Sequence, residues 1–153
     1  ECAELAEGVL SSSWLITNVR VVQAVMSVMP ALLIRKTSNG LIMSLLVCIK
    51  GVAAPSRAVS QCFGVLDEVL QQTPLFDFYV LKSQTTAALL FEVMTLRLAD
   101  PSWEVRDSVI QAVQALKVGA AACERLTFFE STNLLHLAID RSTDSEVRNI
   151  LAG

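Results

Sequence analysis

The stretch Asp100-Pro101-Ser102-Trp103-Glu104-Val105-Arg106-Asp107-Ser108 constrains the fold more than any other part of the chain. It joins two apolar runs of helical periodicity, 85–99 and 105–118. Its centre, Glu104-Val105-Arg106, returns 42 residues later as Glu146-Val147-Arg148. A helix–turn–helix unit that recurs at roughly 40–47 residues marks a chain of stacked helix pairs. One such pair cannot bury its apolar faces alone, so each must lean on its neighbours.

The second of the two runs is amphipathic. Val105, Val109, Ala112, Val113 and Leu116 form one stripe, with Glu104, Asp107, Gln111, Gln114 and Lys117 mainly opposite. Asp100 is placed to cap the first amides, Pro101 suits the first helical position, and Glu104 adds negative charge to the first turn. Gly119 is the expected stop. The later copy opens with Thr143-Asp144-Ser145-Glu146, a capping-box spacing.

Two earlier copies are more degenerate. Asn18-Val19-Arg20 opens one apolar run and Pro55-Ser56-Arg57 another. Arg20, Arg57, Arg106 and Arg148 then stand 37, 49 and 42 residues apart. The first helices of the pairs are expected at about 2–11, 40–50, 83–99 and 132–140, and the second at about 17–29, 56–72, 103–118 and from 144 onward. The expected fold is an all-α solenoid of HEAT/armadillo-like helical hairpins, one segment of about four repeats (1–36, 37–73, 74–119 and 120–153) within a longer chain. The stretches 73–79, with Pro74, and 120–130 are longer loops or short helices. An Arg that opens a second helix can hold carboxylates or carbonyls of the adjacent pair through its planar fork. Asp100 and Arg106 fit that role, and the acidic partner of Arg148 is Asp140 or Asp144.

Composition narrows the function. The apolar share is 53% and the mean hydropathy +0.53, high for a soluble domain. A membrane span needs roughly 18–20 consecutive apolar residues. The longest runs, 21–34 and 41–49, are shorter, and the first is broken by Gln23, Ser27 and Pro30. A segment of a stacked array, apolar towards neighbours on both sides, accounts for the composition instead. No secretory signal is visible. Net charge is −3, from 12 basic and 15 acidic residues, and no basic block exceeds Arg35-Lys36. No basic stripe of the kind that tracks a phosphate backbone is present, so direct nucleic-acid binding is not expected. Cys2, Cys48, Cys62 and Cys123 are widely spaced, lack zinc-ligand spacing and sit in apolar runs, as free thiols do in a reducing compartment.

Catalytic chemistry finds little to use. His136 is the only histidine and lies in the apolar run Leu134-Leu135-His136-Leu137, a helix-face setting rather than that of a general base. No glycine-rich phosphate loop occurs, and Asp67-Glu68 and Asp140 with Asp144 suit solvated surface. The chain is expected to be no enzyme and to hold no cofactor and no metal. Trp103 has two readings, a ring packed across the repeat junction or an exposed anchor for a partner. A second Trp in an equivalent turn, Ser11-Ser12-Ser13-Trp14, favours packing. Phe76, Phe78 and Tyr79 are the candidate partner contacts: aromatics in a long connection either fold back on the array or meet a partner.

The nine-residue turn is more specific than a general HEAT turn, through its Trp and the following Asp-Ser. It resembles the family of the breast-cancer-protein-associated ATM activator, HEAT-repeat scaffolds of animal nuclei and cytoplasm. The similarity extends over about 18–148, through Val19-Arg20-Val21, Leu46-Val47-Cys48-Ile49 and the helix that follows Pro55, though only 100–108 is sharp. The resemblance implies an adaptor, linked to ATM-kinase signalling after DNA damage and to the Integrator complex through its RNA-cleaving endonuclease heterodimer. The family engages that nuclease largely through an extreme C-terminal tail, which these 153 residues do not contain. Asp100, Pro101, Trp103, Val105, Arg106, Val147 and Arg148 make up the structural repeat motif of this chain; the resemblance implies that 100–108 is structural in the family too and that localisation is nuclear and cytoplasmic. The alternatives are a HEAT segment of a transport receptor, a phosphatase scaffold or a chromosome-organising protein, and a regulatory helical array of a large kinase.

Overall fold

A computed structural model of the chain describes residues 2–12, 17–35, 39–51 and 54–123. The fold is all-α, with no strand among the described residues. Seven α-helices are described: α1 (Cys2–Ser11), α2 (Val19–Arg35), α3 (Asn39–Lys50), α4 (Ser56–Leu70), α5 (Thr73–Phe76), α6 (Gln84–Leu98) and α7 (Trp103–Ala122). A π-helical turn, Asp77–Leu81, continues α5. Among these residues no helix is long and apolar enough to cross a membrane. The expected fourth pair, with His136, Val147 and Arg148, lies outside the described residues, as does Trp14.

The helices form where the apolar period is 3.6. On α4 the buried set is Ala58, Val59, Cys62, Phe63, Val65, Leu66, Val69 and Leu70, a broad stripe at i, i+3, i+4 and i+7. The expected stripe of α7 is buried too: Val105, Val109, Ala112, Val113 and Leu116 are all at 0% exposure. Starts are capped locally. The Asn18 carboxamide oxygen accepts from the amides of Arg20 (3.1 Å) and Val21 (3.2 Å), and Ser83 Oγ accepts from the Thr86 amide.

Packing runs in two rows. The helices α1, α3 and α6 contact one another in series, and so do α2, α4 and α7. Rungs α1–α2, α3–α4 and α6–α7 join the rows. One continuous core fills the space between them, from Ala6 and Leu10 through Leu45, Phe63 and Leu66 to Val113 and Leu116.

Two expected helix ends are moved by packing. Pro30 does not close α2, which runs on to Arg35. An interior proline costs about 3 kcal/mol in a lone helix. Here Met29, Pro30 and Leu33 are all buried, and that burial holds the last turns in helical form. Gly119 does not stop α7 either; the helix continues to Ala122. Its missing side chain serves close approach. A Cβ at 119 would stand 2.5 Å from Phe76 Cδ2 and 2.8 Å from the Leu70 carbonyl oxygen.

The Gly119→Ala variant tests that contact. Alanine is the better helix former by about 1 kcal/mol, so in open space the change would stabilise. Against the Leu70 backbone and the Phe76 ring it should instead destabilise by about 1–3 kcal/mol, read from urea unfolding. An unchanged or raised midpoint would show that α5 and α7 are not in contact at this position.

Candidate functional site

The turn between α6 and α7 is organised by a residue the sequence did not single out. Arg97, in the last turn of α6, reaches back to the C-terminal end of α3. Its Nε and Nη2 donate to the Ile49 carbonyl (2.9 and 2.6 Å), and Nη2 also donates to the Gly51 carbonyl (2.8 Å). These are terminal helix carbonyls with no partner of their own, at the negative end of the helix dipole. Nη1 pairs with Asp100 Oδ2 at 2.7 Å, and both side chains are mostly buried, at 14% and 10% exposure. The other Asp100 oxygen accepts from the Ser102 amide at 2.8 Å and fixes the turn that starts α7.

This network corrects three expectations. Ser102, not Asp100, is the N-cap residue of α7, and Pro101 lies one residue before the cap because the turn closed by Asp100 delays the helix to Trp103. Arg106 does not tie to the neighbouring pair. Its Nη1 donates to the carbonyls of Asp100 (2.7 Å) and Pro101 (2.9 Å), inside its own turn. The planar fork that spans pairs belongs to Arg97, three residues before Asp100, whose place in the last turn of an apolar helix looks in sequence like ordinary dipole compensation. Trp103 is not packed across the junction: it is 72% exposed. As the first residue of α7 it points to the face carrying Glu104 and Asp107, while the buried stripe begins at Val105. Ser108 shares a hydrogen bond with Ser60 across α4 and α7.

Of the candidate partner contacts, Phe76 and Tyr79 fold back on the array, at 1% and 0% exposure, and Phe78 is partly buried. The Tyr79 hydroxyl donates to the Leu33 carbonyl at 2.9 Å, and the Phe78 and Tyr79 rings meet edge to face at 5.0 Å.

A recess of about 120 Å³ opens between the starts of α2 and α4. Val19 and Val22 form one wall and Pro55 and Ala58 the other, with Thr17, Arg57 and Gln61 also lining it. Sequence reasoning placed Arg20 and Arg57 at these starts but not the recess, which depends on the spacing of two helices.

Titratable groups elsewhere follow their surroundings. A hydrogen bond from the Cys62 thiol lowers the Cys48 pKa, helped by the Arg97 charge and opposed by burial. The same bond, with burial, raises Cys62 well above its ordinary value. Burial raises Asp67, and its hydrogen bond from Gln71 opposes that. Cys48, Cys62 and Cys123 are free thiols. Among the described residues no three His, Cys, Asp or Glu side chains converge as a metal site would require.

Comparison of the chain with protein-family models, curated proteins and solved structures finds no match.

Removing Arg97 would leave the Asp100 carboxylate without its counter-charge and two helix-end carbonyls without their donor in a nearly dry setting. Arg97→Ala should cost about 3–5 kcal/mol in urea unfolding. Arg106→Ala, which only frees two carbonyls at the rim of a turn, should cost about 1 kcal/mol. Equal losses would mean that the Arg97 fork contributes no more than a turn contact. Tyr79→Phe should cost about 1 kcal/mol by the same measurement, since it deletes one buried hydroxyl bond and keeps the ring. No loss would place the Leu33 carbonyl in reach of water.

Proposed function

We propose that this chain is a segment of a HEAT-type solenoid, a non-catalytic scaffold that presents its turn edge to protein partners. One observation carries the reading: like ends of neighbouring helices meet. The C-terminal carbonyls of α3 meet Arg97 in the last turn of α6. Asn39, at the start of α3, accepts a hydrogen bond from Thr86 near the start of α6. Ser60 and Ser108, each one to two turns into its helix, meet across α4 and α7. Neighbours in an up-and-down bundle run antiparallel. Successive hairpins of a solenoid are related by translation, so equivalent helices lie parallel.

The nine-residue turn adds the more specific proposal. By its resemblance to the ATM-activator family, the parent protein works in the nucleus and cytoplasm. There it serves ATM-type signalling after DNA damage and associates with the Integrator endonuclease pair. The exposed Trp103 supports a role in partner contact, since an indole left 72% in solvent beside a fixed turn is well placed as an anchor.

Affinity purification of the tagged full-length protein from nuclear extract, with partners identified by mass spectrometry, tests this. The Integrator endonuclease subunits should be recovered. Transport factors or phosphatase subunits in their place would overturn the family reading and leave the scaffold. A full-length chain that co-purifies with no protein would overturn both.

A further inference from the structure

We propose that the recess between the starts of α2 and α4 docks an acidic peptide segment of a partner, with one aliphatic side chain inserted between the two helices. The proposal rests on the scaffold reading and names the chemistry of one partner. The charge distribution along the chain is its first support. Residues 8–66 contain no Asp or Glu, although the whole chain has 15. The same stretch holds Arg20, Arg35, Lys36, Lys50 and Arg57. One continuous stretch of a chain of net charge −3 therefore carries only basic charge, and the recess lies within it. Lys50 is engaged by Glu92 at 2.8 Å. Arg20 and Arg57 are exposed, and neither side chain pairs with a carboxylate among the described residues. Arg57 is part of the lining of the recess, and Arg20 follows Val19 in the first turn of α2.

The cavity supplies the second support. Its walls, Val19, Val22, Pro55 and Ala58, are apolar. Its volume, about 120 Å³, is below the ~150 Å³ of an engineered apolar cavity that accepts benzene. One aliphatic side chain fits such a recess. A nucleic acid would satisfy the two arginines and leave the apolar walls wet. A peptide with Leu, Ile, Val or Met between carboxylates satisfies both features. The starts of α2 and α4 add positive helix-end charge on the same side.

The test is selection of a random 12-residue peptide library, displayed on phage, against the full chain. Winners should carry one aliphatic residue flanked by Asp or Glu. As synthetic peptides they should bind at least tenfold more weakly to Val19→Asp and to Arg57→Glu. Both residues are exposed, so the variants should keep the parent's circular dichroism and melting temperature. Replacing the aliphatic residue of the peptide by Gly should also lose at least tenfold. Winners without acidic residues, or none at all, would overturn the proposal. So would peptides that bind equally with Gly, or a 12-nucleotide single-stranded DNA that binds as tightly and competes. If Val19→Asp in the full-length protein leaves every co-purified partner in place, the recess assignment falls and the scaffold reading stands. If the full-length protein has no partners, the scaffold reading falls first.

Discussion

The Arg97 fork is the contact on which the register of the helices depends. Apolar faces are nearly indifferent to a sliding shift, because one turn of a Leu/Val stripe resembles the next. A guanidinium is not indifferent: its donors need acceptors at fixed positions. By closing on Ile49, Gly51 and Asp100 together, Arg97 fixes how far α6 is advanced along α3 and where the turn to α7 begins. The Thr86–Asn39 bond fixes the other end of the same pair of helices. The hydrophobic core gives the array its stability, and these few polar bonds select one register out of several that the core would permit.

The uneven spacing of the turn arginines has a structural origin. Arg57 and Arg106 are 49 residues apart because α5 and the π-helical turn are inserted between α4 and α6. An insertion of this size is stable only if it contributes core of its own. It does so through Leu75, Phe76, Tyr79 and Val80, all buried. The neighbouring helices accommodate it: Gly119 leaves room for the Phe76 ring, and the last turn of α2 offers the buried Leu33 carbonyl to Tyr79. The π-helical geometry widens the turn by one residue per hydrogen bond and so resets which side chains face inward.

Most of the helix boundaries were legible because they depend on local chemistry. Asn18 before Val19, Pro55 before Ser56 and the Asp100-to-Ser102 turn each announce a start. Pro30 and Gly119 misled because their local meaning, a helix end, was outweighed by what surrounds them in three dimensions. The stripe of Val105, Val109, Val113 and Leu116 was readable to the residue, since a 3.6 period leaves little freedom once one position is buried. The role of Arg97 was not readable, because its partners Ile49 and Gly51 are backbone carbonyls 46–48 residues away and leave no mark in side-chain identity. Trp103 failed for a related reason: recurrence at two turns argues for a shared role, but only the rotation of α7 decides whether that role faces inward.

Part of what the packing leaves unused stands at one edge. The aromatics of the insertion, the thiols of α3 and α4 and the conspicuous arginines of the turn are absorbed by internal contacts. Val19, Arg20, Arg57 and Trp103 are not: each stands at the start of a second helix and is exposed. The starts of α2 and α4 face each other across the recess, and the Ser60–Ser108 bond brings the first turns of α4 and α7 together. Residues at equivalent positions therefore become neighbours in space although they are distant in sequence. A surface can then be assembled from one side chain per hairpin while every hairpin keeps its core stripe intact. Substitutions at these turns can change that surface without touching the buried stripes of the helices.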